Sequence, residues 1–335
     1  MHGHVNGFLH DLPSHPNVEL VGISEPDAAL RKKYMEQTKL SESVFFADES
    51  AMLKAVKPQA ILIYTAPADH RKAIEIAAPL HIAAMVEKPL ATTVPDAEAI
   101  AKLSAQFNVP VLTNYATTWF PANTAVYEAL NKGTVGELRK IVAYDGHRGP
   151  KEIGVGPEFL DWLTDPVKNG GGAIVDFGCY GIDLTTWLMH GEMPESVTAV
   201  TQHMKPEIYT KVDDDSTIIL KYPHAQAVIM GSWNWPIDRR DLAVYGSKGF
   251  ASAIKTDGLR VHLISEKQEQ VEKAAPLAAP EDNSLDYLTA VLTHKMEPKG
   301  DLTALDTNVK VVRILAAALE SARTGRTVML APAKH

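Results

Sequence analysis

The sequence predicts an α/β protein of two parts, a doubly wound parallel sheet followed by an α+β domain on a large, mostly antiparallel open sheet. In the first third, short β-rich runs alternate with helical patterns across short loops, as parallel strands joined by crossover helices require. Beyond it, longer runs alternate polar with apolar residues, the mark of an antiparallel sheet buried on one face. The 335 residues suffice for two domains, and the change in pattern divides them into 1–116, a dinucleotide-binding unit, and 117–335, a unit for substrate binding and oligomerisation.

The second strand expected of the parallel unit reads over 18–23, and a helix with an Asp cap at Asp27 runs to residue 38. Strands follow at 60–64, 81–86 and 110–113, with helices at 50–55, 69–78 and 94–107 between them. One part is absent. A dinucleotide-binding unit opens with a strand, then G-x-G-x-x-G, then a helix whose N-terminus carries the pyrophosphate. Here Met1 stands where that helix would begin, with Gly3, Val5, Phe8 and Leu9 inside it, so the first strand and glycine loop are missing from the sequence. A start placed too far downstream, an N-terminus left out, or a protein that does without the loop would each explain this. The first is favoured, because loss of a central parallel strand leaves two edges unpaired.

In the second part a helix reads over 122–132 and strands over 138–144, 196–203, 216–222, 225–233 and 241–245. Residues 267–283, rich in Glu, Ala and Pro, read as a loop; 304–323 is a long helix and 327–330 a closing strand. No internal repeat or low-complexity tract interrupts the pattern.

A formal net charge of -8 argues against a nucleic-acid footprint, and no apolar run reaches the 18 or so residues that span a membrane. Cys179, the one cysteine, permits no internal disulfide, and no basic region followed by an apolar stretch opens the chain. These features predict a cytoplasmic protein directed at a small molecule. His2 and His4 lack a third ligand at a recognisable spacing, so no metal is expected.

Glu87-Lys88-Pro89 ends an apolar strand. A lysine delivered there and followed by proline places an ammonium where open α/β sheets bind ligands. Glu25 stands at the end of the 18–23 strand, where a carboxylate accepts hydrogen bonds from adenosine ribose hydroxyls and repels a 2′-phosphate, which favours NAD over NADP. Arg31, Lys32 and Lys33 follow in the next helix and read as its solvated face. The third feature is Gly170-Gly171-Gly172 before a helical pattern carrying Asp176, Tyr180 and Asp183 at spacings of four and three, on one helix face. Trp119, Trp233 and Trp235 offer rings for stacking on a sugar, and His147 and Arg148 follow a strand end where they would line a cleft.

Glu87-Lys88-Pro89, the Gly171-Gly172-Ala173 run with Asp176, Gly178, Tyr180 and Asp183 after it, and the domain order together resemble the Gfo/Idh/MocA oxidoreductases. Thr65-Ala66-Pro67-Ala68-Asp69-His70 and Ser321-Ala322-Arg323-Thr324-Gly325-Arg326 add to the likeness, which covers most of the chain. The resemblance implies a Rossmann domain, a C-terminal domain whose sheet forms a homodimer or homotetramer, a nicotinamide cofactor and a sugar, polyol or related ring substrate. Together with the readings above, the candidate cofactor residues are Glu25, Thr65, Ala66, Pro67, His70, Glu87 and Lys88, those for the chemistry Lys88, Asp176 and Tyr180, and those for the substrate these three with Trp119, His147, Arg148 and Trp233. The chain departs from it in lacking the glycine fingerprint and in carrying Tyr180 where many members have histidine. Hydride loss from a carbinol needs a proton acceptor within hydrogen-bond reach, and Tyr180 is the first choice, tuned by the Lys88 ammonium towards the phenolate. Two alternatives remain: an NAD-retaining glycosidase working by transient oxidation and elimination, and a non-catalytic sugar or nucleotide sensor.

Overall fold

The computed structural model describes residues 4–330. Its first part runs through α1 (Val5–Asp11), β1 (Ile23–Ser24), α2 (Ala28–Thr38), β2 (Phe45–Phe46), α3 (Glu49–Val56), β3 (Ala60–Ile63), α4 (His70–Ala77), β4 (Ala83–Glu87), α5 (Val94–Phe107) and β5 (Val111–Asn114). Every strand pairing here is parallel, as the alternation of elements predicts, with β1 on β2 and β3-β4-β5 as a separate sheet. Asp27, Asp48 and Thr93 cap α2, α3 and α5 by accepting their first free amides. The strand expected over 18–23 shrinks to Ile23–Ser24, because a strand exists only where its backbone finds a ladder, and β1 meets β2 over two residues alone.

The second part contains α6 (Pro121–Asn131), β6 (Leu138–Gly146), α7 (Pro157–Leu163), α8 (Ala173–Asp176), α9 (Gly178–Leu188), β7 (Ser196–Gln202), β8 (Asp215–Lys221), β9 (Gln226–Ser232), β10 (Arg239–Gly246), β11 (Gly249–Ile254), β12 (Gly258–Leu263), β13 (Gln270–Lys273), α10 (Ser284–Leu292), α11 (Leu305–Thr324) and β14 (Val328–Met329). Nine of these strands form one sheet, ordered β13-β12-β11-β10-β6-β9-β8-β7-β14, in which only β6 and β9 run parallel. One face is apolar: Val197, Ala199, Ile218, Leu220, Ala227, Ile229, Leu242 and Val244 are all buried in the core that also holds α9 and α11. The chain from 267 to 283 is not all loop. β13 hydrogen-bonds to β12 as a fully exposed edge strand, so no buried face left an alternation to read.

The last helices return to the first sheet. Tyr287, Leu288 and Val291 of α10 pack on Met85 and Leu112 of β4 and β5. Val312 of α11 joins the core that contains Ile100 of α5, and Arg313 lies 2.8 Å from Glu98 at the rim. Each large side chain buried this way contributes about 1.5–3 kcal/mol, whereas the exposed ion pair contributes roughly 0–1 kcal/mol.

α9 lies directly on the large sheet, and its seating depends on Gly181. A Cβ there would stand 2.4 Å from Ile229 Cγ2 and 3.1 Å from Ala143 Cβ, so only glycine lets the helix approach β6 and β9 this closely. Gly181→Ala should therefore lower stability by about 1–3 kcal/mol through overpacking; a urea unfolding midpoint equal to that of the parent would show that the contact is not tight.

Candidate active site

β4 is buried along its whole length and ends at Glu87, so the residue after it is delivered to the carboxyl edge of the parallel sheet under cover. That residue, Lys88, is 6% exposed. Its ammonium donates to the backbone carbonyl of Asp176 at 2.8 Å and to Asp176 Oδ1 at 2.5 Å. Asp176 Oδ2 in turn accepts from Trp233 Nε1 at 2.9 Å. Both charges are thus removed from water and both are answered, the condition under which a buried ion pair is tolerated. Burial opposes the Asp176 carboxylate, yet Lys88 prevails and holds its pKa down at about 2. Burial likewise opposes the Lys88 ammonium, and the Asp176 charge overrides it, keeping Lys88 above the ordinary lysine range.

The glycines explain how Asp176 gets there. Asp213 accepts amides of Gly172 and Ile174 with its carboxylate at 2.9 and 2.8 Å, and that of Ala173 with its carbonyl at 3.0 Å. A Cβ on Gly172 would lie 1.8 Å from that carbonyl oxygen, so this approach needs glycine. The expected single helix is in fact two, α8 and α9, interrupted at Phe177. Asp176, Tyr180 and Asp183 are nonetheless all buried, and the solvent-facing stripe that their spacing also allowed does not occur.

Tyr180 is 1% exposed and no described residue hydrogen-bonds its hydroxyl. Lys88 Nζ stands 5.0 Å from its ring centroid, Arg240 Cζ 5.1 Å, and the ring of Tyr115 meets it edge-on at 5.4 Å. The Lys88 ammonium does favour the phenolate, as expected from the sequence, but it does not prevail. Burial pushes Tyr180 up to about 12 against both cations, so the side chain is a protonated phenol at neutral pH.

His147 joins this cluster. Its ring meets Phe177 edge-on at 4.9 Å, and its Nδ1 accepts from the Gly149 amide at 3.0 Å, which leaves the proton on Nε2. Burial holds it below the ordinary histidine range, hence neutral, although Asp176 pulls the other way. Arg148 is exposed, and what it contributes is its carbonyl, bonded to Lys205 Nζ at 2.7 Å. Trp233 is wholly buried behind Asp176, so it positions the carboxylate and offers no face for a sugar to stack on. Trp119 reaches the edge of the sheet only through Asn114: it donates to Asn114 Oδ1 at 2.9 Å, whose amide bonds Glu87, and it packs on Tyr287. Two site residues escaped the sequence reading, Arg240 and Asp145. Their signal was cross-strand register, since they are direct partners on β10 and β6, and no short motif contains both.

Elsewhere at the carboxyl ends of the parallel strands, Glu25 follows β1 and its Oε1 accepts the Asp27 amide at 3.0 Å. Thr65, Ala66 and Pro67 follow β3 at the same edge of the sheet. His70 is fully buried, with Nδ1 3.1 Å from the Leu90 carbonyl, and ties α4 to the loop beyond Lys88. Glu87 is buried too, its carboxylate bonded to Asn114 at 2.9 Å and to His4 at 2.8 Å. His2, the other histidine weighed as a metal ligand, lies outside the described residues. Lys33 is not merely solvated, for it bridges to Glu158 of α7 at 2.6 Å. Glu25, Thr65–Pro67 and Lys88 thus all follow the carboxyl ends of parallel strands, the edge at which open α/β sheets bind ligands.

Residues 4–115 match the oxidoreductase family with an NAD-binding Rossmann fold, and residues 124–252 match the GFO/IDH/MocA C-terminal domain. The chain belongs to the Gfo/Idh/MocA oxidoreductase family. Trans-1,2-dihydrobenzene-1,2-diol dehydrogenase of Xenopus tropicalis is 28% identical over 166 residues, 49% of this chain and 46% of that one. The enzyme of the same name from Sus scrofa is 23% identical over 267 residues, 79% and 74% of the two chains. The chain thus spans about half the length of the first of these relatives. Among solved structures, an inositol dehydrogenase homolog from Azotobacter vinelandii complexed with NAD+ superposes with a TM-score of 0.81 at 16% identity, covering 97% of this chain and 94% of that one. Aldose-aldose oxidoreductase from Caulobacter crescentus complexed with glycerol gives 0.79 at 23% identity, over 93% and 92%. At these identities the superpositions establish the shared fold.

Breaking the buried pair from one side should be expensive. Asp176→Asn leaves the Lys88 ammonium uncompensated and should cost about 3–5 kcal/mol in urea unfolding. In the parent, the Asp176 carboxyl is depressed from 3.8 to about 2, so its stabilisation is complete above pH 4 and lost as pH falls towards 2. That acid limb should be absent from the stability profile of Asp176→Asn.

Proposed function

We propose that this chain is an NAD-dependent oxidoreductase that interconverts a hydroxyl and a ketone on a sugar, polyol or related cyclic diol. The observation that carries it is the Lys88–Asp176 ion pair at the carboxyl edge of the parallel sheet, with the Tyr180 phenol against its ammonium. The relatives named for diol oxidation and the glycerol- and NAD+-bound structures of the same fold support that reading.

A nicotinamide cofactor, when bound, supplies the two-electron chemistry. The protein handles the proton and the oxygen. In the reducing direction Tyr180, a phenol at neutral pH, donates its proton to the oxygen as charge gathers there and becomes a phenolate; in the oxidising direction that phenolate, the form that Lys88 favours and burial opposes, takes the proton from the hydroxyl. Lys88 has three N–H bonds, of which two go to Asp176, and the third together with the fixed charge stabilises the developing oxyanion. Asp176 and Trp233 keep that ammonium aimed, and burial of the whole group makes each of these interactions stronger than it is in water.

For the cofactor, Glu25 would hold the ribose hydroxyls, Thr65–Pro67 would line the dinucleotide with backbone, and Lys88 would border the nicotinamide. Two cations of α2 that could greet a 2′-phosphate are engaged: Arg31 Nη1 donates to the carbonyls of Glu25 and Pro26 at 2.6 and 2.9 Å, and Lys33 is paired with Glu158. This favours NAD over NADP. The sheet face turned away from α9 and α11 exposes Val200, Tyr245 and Ile254, an apolar surface suited to a homodimer or homotetramer.

Fluorescence titration should show NADH bound in preference to NADPH, with Glu25→Ala weakening NADH by about tenfold, the worth of one charge-assisted hydrogen bond. On a sugar or polyol found by screening, Lys88→Met and Tyr180→Phe should each lower kcat by about a hundredfold or more. Wild-type turnover in both variants would sink the assignment, and turnover without net NADH would point to the glycosidase alternative.

A further inference from the structure

Asp145 is the anomaly of the core. It is 1% exposed, and neither carboxylate oxygen has a hydrogen-bond partner among the described residues, a state that a folded protein rarely leaves without use. Its place follows from the sheet. Ile141, Ala143 and Asp145 alternate on the buried face of β6, which α9 covers at Gly181, one residue from Tyr180. Across the ladder Asp145 is directly opposite Arg240 of β10, and the two side chains face each other with Arg240 Nε 3.9 Å from Oδ1, too far to share a hydrogen bond.

Arg240 is fastened by its other end. Nη1 donates to the carbonyl of Arg239 at 2.7 Å and approaches that of Gly146 at 3.4 Å, which holds the guanidinium 4.6 Å from the Phe177 ring centroid and 5.1 Å from that of Tyr180. Lys88 stands 5.0 Å from the same ring, but its charge is largely answered by Asp176. Arg240 has no such close partner. It is the less neutralised of the two cations beside Tyr180.

We propose that Arg240 acts through Tyr180 as a second cation that favours departure of its phenolic proton, and that Asp145, behind Arg240, opposes it, so that the cross-strand pair sets how readily Tyr180 exchanges a proton. This rests on Tyr180 being the proton-transfer residue. Arg240 is thereby a positioning residue for charge, and Asp145 acts through it. Other groups facing Tyr180 are Lys88 beyond β4, Glu87 at the end of β4, Tyr115 beyond β5 and Cys179 on its own helix; His147 and Asp176 reach the same cluster around Phe177, and Asp183 lies buried one turn along α9. Of these Lys88 is the only other cation. Burial raises Asp145 to about 7 against the pull of Arg240 and Lys88, so it is charged throughout the alkaline range in which a phenol titrates.

The test is a direct titration that needs no substrate. 3-Fluorotyrosine at position 180 reports ionisation through its fluorine resonance, and its lower intrinsic pKa brings the transition into an accessible range. Arg240→Gln should move that transition up by about one pH unit, since an opposite charge at this distance is removed. Arg240→Lys, which keeps the charge, should move it less, and the near-isosteric Asp145→Asn should move it down. Loosened packing would not displace the two variants in opposite directions. No movement in Arg240→Gln, no movement in Asp145→Asn, or movement of both the same way would overturn the proposal; if Arg240→Gln does not fold, the Asp145→Asn shift decides alone. The same variants should displace the pH profile of kcat in the same senses. Opposed fluorine shifts in a protein that oxidises no polyol would leave this inference standing and remove the proposed function instead.

Discussion

Two charges taken out of water together govern this structure. A lysine ammonium and an aspartate carboxylate would each be costly to bury alone, and each is tolerable because the other stands within hydrogen-bond reach. Lys88 directly follows β4 of the parallel sheet and Asp176 ends a short helix on the mostly antiparallel one, so the ion pair links the two parts, alongside the packing of α10 and α11. The surrounding pieces serve that contact. Gly172 lets the chain press against Asp213, Asp213 answers the amides of that turn, and Trp233 holds the second carboxylate oxygen.

The same burial sets the chemistry. Removed from water, a phenol keeps its proton more tightly, and two nearby cations return only part of what burial takes away. A phenol in this state can give a proton to an oxygen that is becoming an anion, and only its phenolate can receive one from an alcohol. The electrostatics are local and short-ranged, so they depend on a few ångströms of placement supplied by α9 lying flat on β6 and β9.

Much of the fold was legible. Asp27 and Thr93 announce the helices they cap, α5 coincides with the helix expected at 94–107, and the period-two runs over 196–222 emerge as β7 and β8. Other elements were not: β13 is exposed along its length, and an edge strand held by backbone bonds alone leaves no hydrophobic pattern, while β12 and α10 escaped the sequence reading although Leu259, Leu285 and Val291 are buried.

For the site, the sequence by itself determined which chemical groups are present and which chain segments carry them: a lysine after a buried strand, a glycine run, and an aspartate and a tyrosine four residues apart. Those facts depend on local spacing, which sequence records. Tertiary structure decided which groups touch and what state they adopt. That Trp233 is a prop for Asp176, that His70 is sealed in the core, and that Arg240 faces Asp145 across two strands far apart in the chain are consequences of long-range register. The direction of the Tyr180 shift belongs there too, because it is a difference between desolvation and two coulombic attractions, and none of the three is defined until the chain has closed around the ring.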